Sequence, residues 1–259
     1  MYFALDPIDT AIFIPTLRQA LHANHDSAAA APAMYYLALV DSAFDHGLSP
    51  LKWTSAPVPV YSATGRLGDL SDVSPKLLLL SQPTRFEFEI EVRQLLKHCE
   101  GRPMLSFLQS QVSPEKSCEH WQQCLMLKTT DGSAPYLLRF ADTRVLPALQ
   151  TMPGSTLWNI LTQSVSQWFI GARTGAIQRL DLAKIAPTTL ANDGSPDGDA
   201  TDIELTDKDL THLLREGQPD SVINAIAEHF PELLPERKHA IFYSHVAQVC
   251  ALAQHQLCG

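Results

Sequence analysis

Charge is what this sequence has least of. Only 18% of its 259 residues are charged, against about 25% in an ordinary soluble chain, so ionic side chains cannot decorate the whole surface. What charge there is leans acidic, with a net −9 at pH 7 and a pI near 5.5. That balance repels nucleic-acid phosphates and anionic bilayers unless a local basic cluster overrides it. The densest basic stretch, Arg237-Lys238-His239, comes after Glu236 and reads as a solvated helix start. Nucleic acid is not an expected partner.

Long apolar runs are also missing. Stretches such as Leu77 to Leu80 fall far short of the ~20 residues that cross a bilayer, so no membrane insertion is expected. Met1 to Leu21 lacks a basic first segment and carries Asp6 and Asp9, which argues against a signal peptide and for a cytoplasmic protein. Glycine, at 12 residues, is scarce for a nucleotide binder. GxGxxG, Walker, GxSxG and HExxH patterns do not occur, and Gly65-Arg66-Leu67-Gly68 is too short to cradle phosphates. The five cysteines, Cys99, Cys118, Cys124, Cys250 and Cys258, form no CxxC pair, and their odd number favours reduced thiols. Cys118, His120 and Cys124 match no zinc spacing and read as side chains of a helix. No cofactor or metal is expected.

What is present is a 45% hydrophobic share and enough length to bury a substantial core. Short apolar runs alternate with helical periodicity. Met34 to Val40, Lys76 to Ser81, Met104 to Leu108, Tyr136 to Phe140 and Val165 to Ile170 are predicted strands. Residues 8–22, Arg85 to Cys99, Ser113 to about Leu127 and Thr143 to Met152 are predicted helices. Ser27 to Pro32 reads as a connector and Asp131-Gly132 as a turn. This order predicts an α/β lobe over residues 1–190, built on a mixed sheet with flanking helices. Ala191 to Asp202 has the composition of a flexible linker. Residues 203–259 are expected to form a smaller helical lobe, with helices over Thr206 to Arg215, Asp220 to His229 and Glu236 to Leu257. In the last of these Phe242, Val246, Val249, Ala253 and Leu257 share a face.

Two places carry groups that could do chemistry. Asp41-Ser42 ends the first strand, where α/β enzymes keep reactive groups, so a hydrolase-like arrangement with one of ten histidines is one alternative. No spacing selects a histidine, and a strand-ending aspartate more often caps the next helix. Leu138 to Leu146 places Arg139, Asp142 and Arg144 around a strand end. Asp142 can cap the next helix and accept a bidentate arginine, or Arg139 and Arg144 can hold an anion as a sensor would. The balanced charges favour an architectural corner.

These stretches resemble a known family, the adaptor or effector-chaperone proteins of the bacterial type VI secretion system. Members carry patterns close to Tyr-Ala-Leu-Leu-Asp-Gly-Ala and Phe-Arg-Tyr-Tyr-Asp-Pro-Arg-Val-Leu, which Tyr36 to Ala43 and Leu138 to Leu146 resemble. Arg139, Asp142, Arg144, Val145 and Leu146 match, while Ser42, Ala141 and Thr143 depart and Gln123 to Met126 replaces a usual His-Leu-Arg. The resemblance covers residues 34–182. It implies a non-enzymatic adaptor and chaperone that binds one cognate toxic effector and delivers it to the spike protein. It also implies an α/β N-terminal lobe followed by a helical C-terminal one. Effector contact is expected on residues 203–259, with Phe242, Val246, Val249 and Leu252 as candidates.

Overall fold

Residues 2–22, 34–49, 51–61, 67–130, 135–152, 156–182 and 203–257 are described by the computed structural model of the chain. The expected connector at 27–32, the Asp131-Gly132 turn and the expected linker at 191–202 lie outside them.

The sequence Tyr35–Val40 forms β1, apolar at every position because both of its faces are covered. It lies inside a six-stranded sheet of order β2-β3-β1-β4-β7-β8. The partners are β2 (Val58–Pro59), β3 (Lys76–Leu79), β4 (Leu105–Ser110), β7 (Val165–Gly171) and β8 (Ile177–Arg179). Every pairing in this sheet is antiparallel. Period-2 alternation sends Leu37, Leu39, Leu77, Leu108, Trp168 and Ile170 to one side. Tyr36, Ala38, Leu78, Leu105, Phe107 and Phe169 go to the other. The second side is closed by α1 (Thr10–His22) and α2 (Phe86–His98), which contribute Phe13, Leu17, Phe88 and Val92.

The first side is closed by α3 (Pro114–Gln122), α4 (Val145–Thr151) and α5 (Thr156–Thr162). Trp121, Trp158 and Trp168 meet there, with Trp168 stacked 6.0 Å from each of the other two rings. Ser113 caps α3 and Pro114 begins it, as its sequence predicts. The helix stops at Gln122, however, and Met126–Thr129 forms β5 instead of a last helical turn. Its alternating burial suits a strand, and β6 (Tyr136–Leu137) and β9 (Ile203–Leu205) supply hydrogen-bond partners on either side. The β5–β9 pairing is parallel, so the mixed pairing of this fold lies in the small sheet.

Beyond β9 the described chain is helical, with α6 (Asp207–His229), a 3-10 turn at Pro231–Leu233 and α7 (His239–Leu257). A Thr206/Asp209 capping box starts α6. The sequence predicts two helices between Thr206 and His229, but α6 runs unbroken through Pro219. Pro219 and Ile223 are buried, and Ser221 Oγ donates to the Gly217 carbonyl 3.2 Å away in the same turn. Tertiary burial therefore outweighs the local cost of an interior proline. No helix among the described residues is long and apolar enough to cross a membrane.

The first residues form a strap across this assembly. Asp6 N donates to the Arg173 carbonyl at 2.7 Å. The turn beneath it needs Gly175, at φ 77°, because a Cβ there would collide with the Pro7 carbonyl oxygen.

Candidate functional site

Arg139, Asp142 and Arg144 meet Asp41 at one corner of the large sheet. Asp41 lies where β1 ends, is 1% exposed, and accepts from the Ala43 amide at 3.1 Å and from Arg139 Nη2 at 2.9 Å. Burial raises its carboxyl pKa, and the facing guanidinium opposes that shift without cancelling it. Tyr61, buried nearby, is pushed up to about 12 by burial first and by the Asp41 charge second.

Asp142 takes both ends of the Arg144 guanidinium, Nε at 3.0 Å and Nη2 at 2.6 Å, together with the Arg144 backbone amide at 3.0 Å. It thus does both things its sequence context suggests, accepting a bidentate arginine and satisfying an amide just ahead of α4. Burial disfavours the Arg144 cation, but Asp142 and Asp220 outweigh it and raise its pKa. Aromatic rings fill the spaces between the charges. Arg139 lies 5.1 Å from the Phe44 ring centre, and Arg144 lies 5.1 Å from Phe3 and 5.9 Å from Phe44.

Sequence reasoning misses the other half of this corner. Asp220, inside α6, sits 3.7 Å from Arg144 Nη1 and accepts from Arg173 Nη2 at 2.5 Å. Arg173 in turn covers the Tyr243 ring of α7 at 3.5 Å and donates to the Phe3 carbonyl. Asp6 Oδ1 accepts from the first amide of α7, His239 N, at 2.7 Å, and Tyr2 Oη pairs with His239 Nδ1 at 2.8 Å. Three carboxylates, Asp41, Asp142 and Asp220, therefore face three guanidiniums, and the cluster ties β1, β7, α6, α7 and the strap together. Nothing in the spacing of Asp220, Arg173 or Tyr243 marks them. Their partners are distant in sequence.

The two alternative chemistries find little here. Ser42 Oγ is buried and has no hydrogen-bond partner among the described residues, so no histidine there holds it as a nucleophile. Both Arg139 and Arg144 already face carboxylates. Cys118 and Cys124 are buried in the tryptophan-lined core, where Cys124 Sγ donates to the Trp121 carbonyl.

With the corner holding α6 and α7, apolar side chains are left in solvent. Val249 and Leu252 on α7 are 64% and 65% exposed, and Ile241 lies on the same stripe. Leu214 and Val222 of α6 and Phe230 and Leu233 at the connecting turn are exposed too. The four contact candidates divide accordingly. Val249 and Leu252 point outward, whereas Phe242 and Val246 are half-buried, Phe242 edge-on to the Tyr2 ring.

Residues 35–157 match the family model described as a domain of unknown function, DUF4123. The matched stretch runs from β1 into α5 and contains Asp41, Arg139, Asp142 and Arg144. Asp220, Arg173, Tyr243 and both long C-terminal helices lie beyond it. Neither the curated proteins nor the solved structures contain a match to the chain.

Proposed function

We propose that the protein is a non-enzymatic adaptor that grips a partner polypeptide on the exposed apolar surface of α6 and α7. The observation that carries this reading is the exposure of Val249 and Leu252 on a helix anchored to the sheet by the Asp220 cluster. Exposed apolar side chains on a firmly anchored helix supply the kind of centre that a protein-binding surface requires.

The DUF4123 match supports a more specific form of the proposal, because it covers the same stretch whose motifs resemble type VI secretion adaptors. In that form the partner is a cognate toxic effector, bound in the cytoplasm and delivered to the spike protein, and the adaptor makes or breaks no covalent bond. The matched part supplies a constant frame and the helices beyond it supply the surface that chooses the partner.

The test is co-expression with a toxin and a spike protein of a type VI secretion system from the same genome, followed by affinity purification and size-exclusion chromatography. A complex of toxin and adaptor, joined by the spike protein when it is added, is the expected result. Separate elution of all three folded proteins would sink the reading.

A further inference from the structure

A cavity of about 200 Å³ opens beneath the N-terminal strap, on the α1 and α2 side of the sheet. Its floor is core, made by Phe13, Leu96, Leu105 and Phe107, all buried. Leu5 and Ile8 of the strap form one wall and are only half-buried, so apolar surface there still faces the opening. An apolar cavity of about 150 Å³ is already large enough to take up benzene. The space therefore admits one aromatic ring or a short alkyl chain.

The rim gives it a preference of sign. Three cations, Arg93, Lys97 and Arg102, line the opening against two carboxylates, Asp6 and Glu100. Arg93 is engaged by Glu89 at 2.9 Å, and Asp6 is engaged by the first amide of α7. Lys97 and Arg102 have no carboxylate partner among the described residues; Arg102 donates only to the Glu100 carbonyl, at 3.4 Å. Glu100 has no cation partner among the described residues either, so the uncommitted groups beside the cavity, Lys97, Arg102 and Glu100, leave a net positive charge there on a chain of net charge −9.

We propose that this cavity binds a small apolar carboxylate, its ring or alkyl group against Phe13, Leu96 and Phe107 and its carboxylate on the side of Lys97 and Arg102. The same chemistry is presented by a free organic acid and by the C-terminal residue of a peptide that ends in a large apolar side chain. Neither source depends on the adaptor reading.

Calorimetric titration of the full chain tests the proposal with four probes: 3-phenylpropionate, its amide, and a tetrapeptide ending in Phe with a free or amidated C-terminus. At least one free acid is expected to bind saturably, and its amide to bind about tenfold more weakly, a ratio worth about 1.4 kcal/mol. Binding of the small acid identifies a free metabolite-like ligand, and binding of the peptide alone identifies a protein terminus. The double variant Lys97→Glu/Arg102→Glu should lose the preference for acid over amide, and Leu5→Trp, which fills the opening, should abolish binding. Absence of saturable binding by all four probes overturns the proposal, as do equal affinities for acid and amide or unchanged affinity in both variants.

Discussion

Arg144 Nη1 stands 3.7 Å from Asp220 Oδ1, and this contact joins the segment matched by the family model to the helices beyond it. Arg144 is held from behind by Asp142 and Asp220 is held from its other side by Arg173, so neither partner can drift without breaking a second ion pair. All four groups are largely removed from solvent, which is where such pairs are costly to break.

Replacing Asp220 by Ala should therefore loosen α6 and α7 from the sheet. Arg144 would keep Asp142, but Arg173 would lose its one carboxylate partner among the described residues and rest on the Phe3 carbonyl and the Tyr243 ring. A stability loss of about 1–3 kcal/mol is expected by denaturant titration, with faster proteolysis confined to residues 206–257. Cleavage at the native rate would show that the clamp does not hold the helices.

Charge introduced on the exposed stripe should act in the opposite way, on binding and not on folding. Val249→Asp and Leu252→Asp change side chains that are mostly in water, so stability should stay within about 0.5 kcal/mol of the parent. Partner co-purification should fall to background. Retention of the partner by both variants would move the contact elsewhere.

The raised pKa of Asp41 gives a pH signature. A carboxyl that holds its proton more tightly in the folded chain contributes most below its unfolded value, near 3.8. Its contribution then falls as pH rises through the folded value. The stability of the parent relative to Asp41→Asn should thus decline as pH rises above about 3.8. If chemical denaturation shows the difference growing over that range, the Arg139 pair outweighs burial.

Thiol chemistry offers a check on the core. Burial pushes the Cys118 and Cys124 thiols up to about 12 and raises Cys99 as well. At pH 8 only about one thiol in ten thousand would be ionised at those two positions, so native protein should leave all three unalkylated by iodoacetamide. Mass spectrometry after denaturation should find them all modified; rapid native labelling at Cys118 or Cys124 would contradict the packing of the tryptophan core.

Legibility tracks the range of the interactions. The strands around Leu37, Leu78 and Phe107 are readable because an apolar run covered on both faces needs no distant partner to be noticed. The Asp142–Arg144 pair is readable because its members are two residues apart. Met126 and Leu127 read as the end of a helix because nothing local reveals that Ile203–Leu205 lies beside them, with Leu127 paired to Ile203 across a long stretch of chain.

The amino-acid order by itself determined the α/β class, the apolar faces, the cap of α3, and Asp142 as an arginine acceptor, since each depends on neighbours within a few residues or on a simple period. Only the tertiary structure decided that Asp220, Arg173 and Tyr243 complete the corner, that α6 passes through Pro219, and that Val249 and Leu252 remain in water while Phe242 and Val246 turn inward. The reason is physical. A helix carries its periodicity in its own sequence, but which side of that helix is covered depends on what the rest of the chain brings against it.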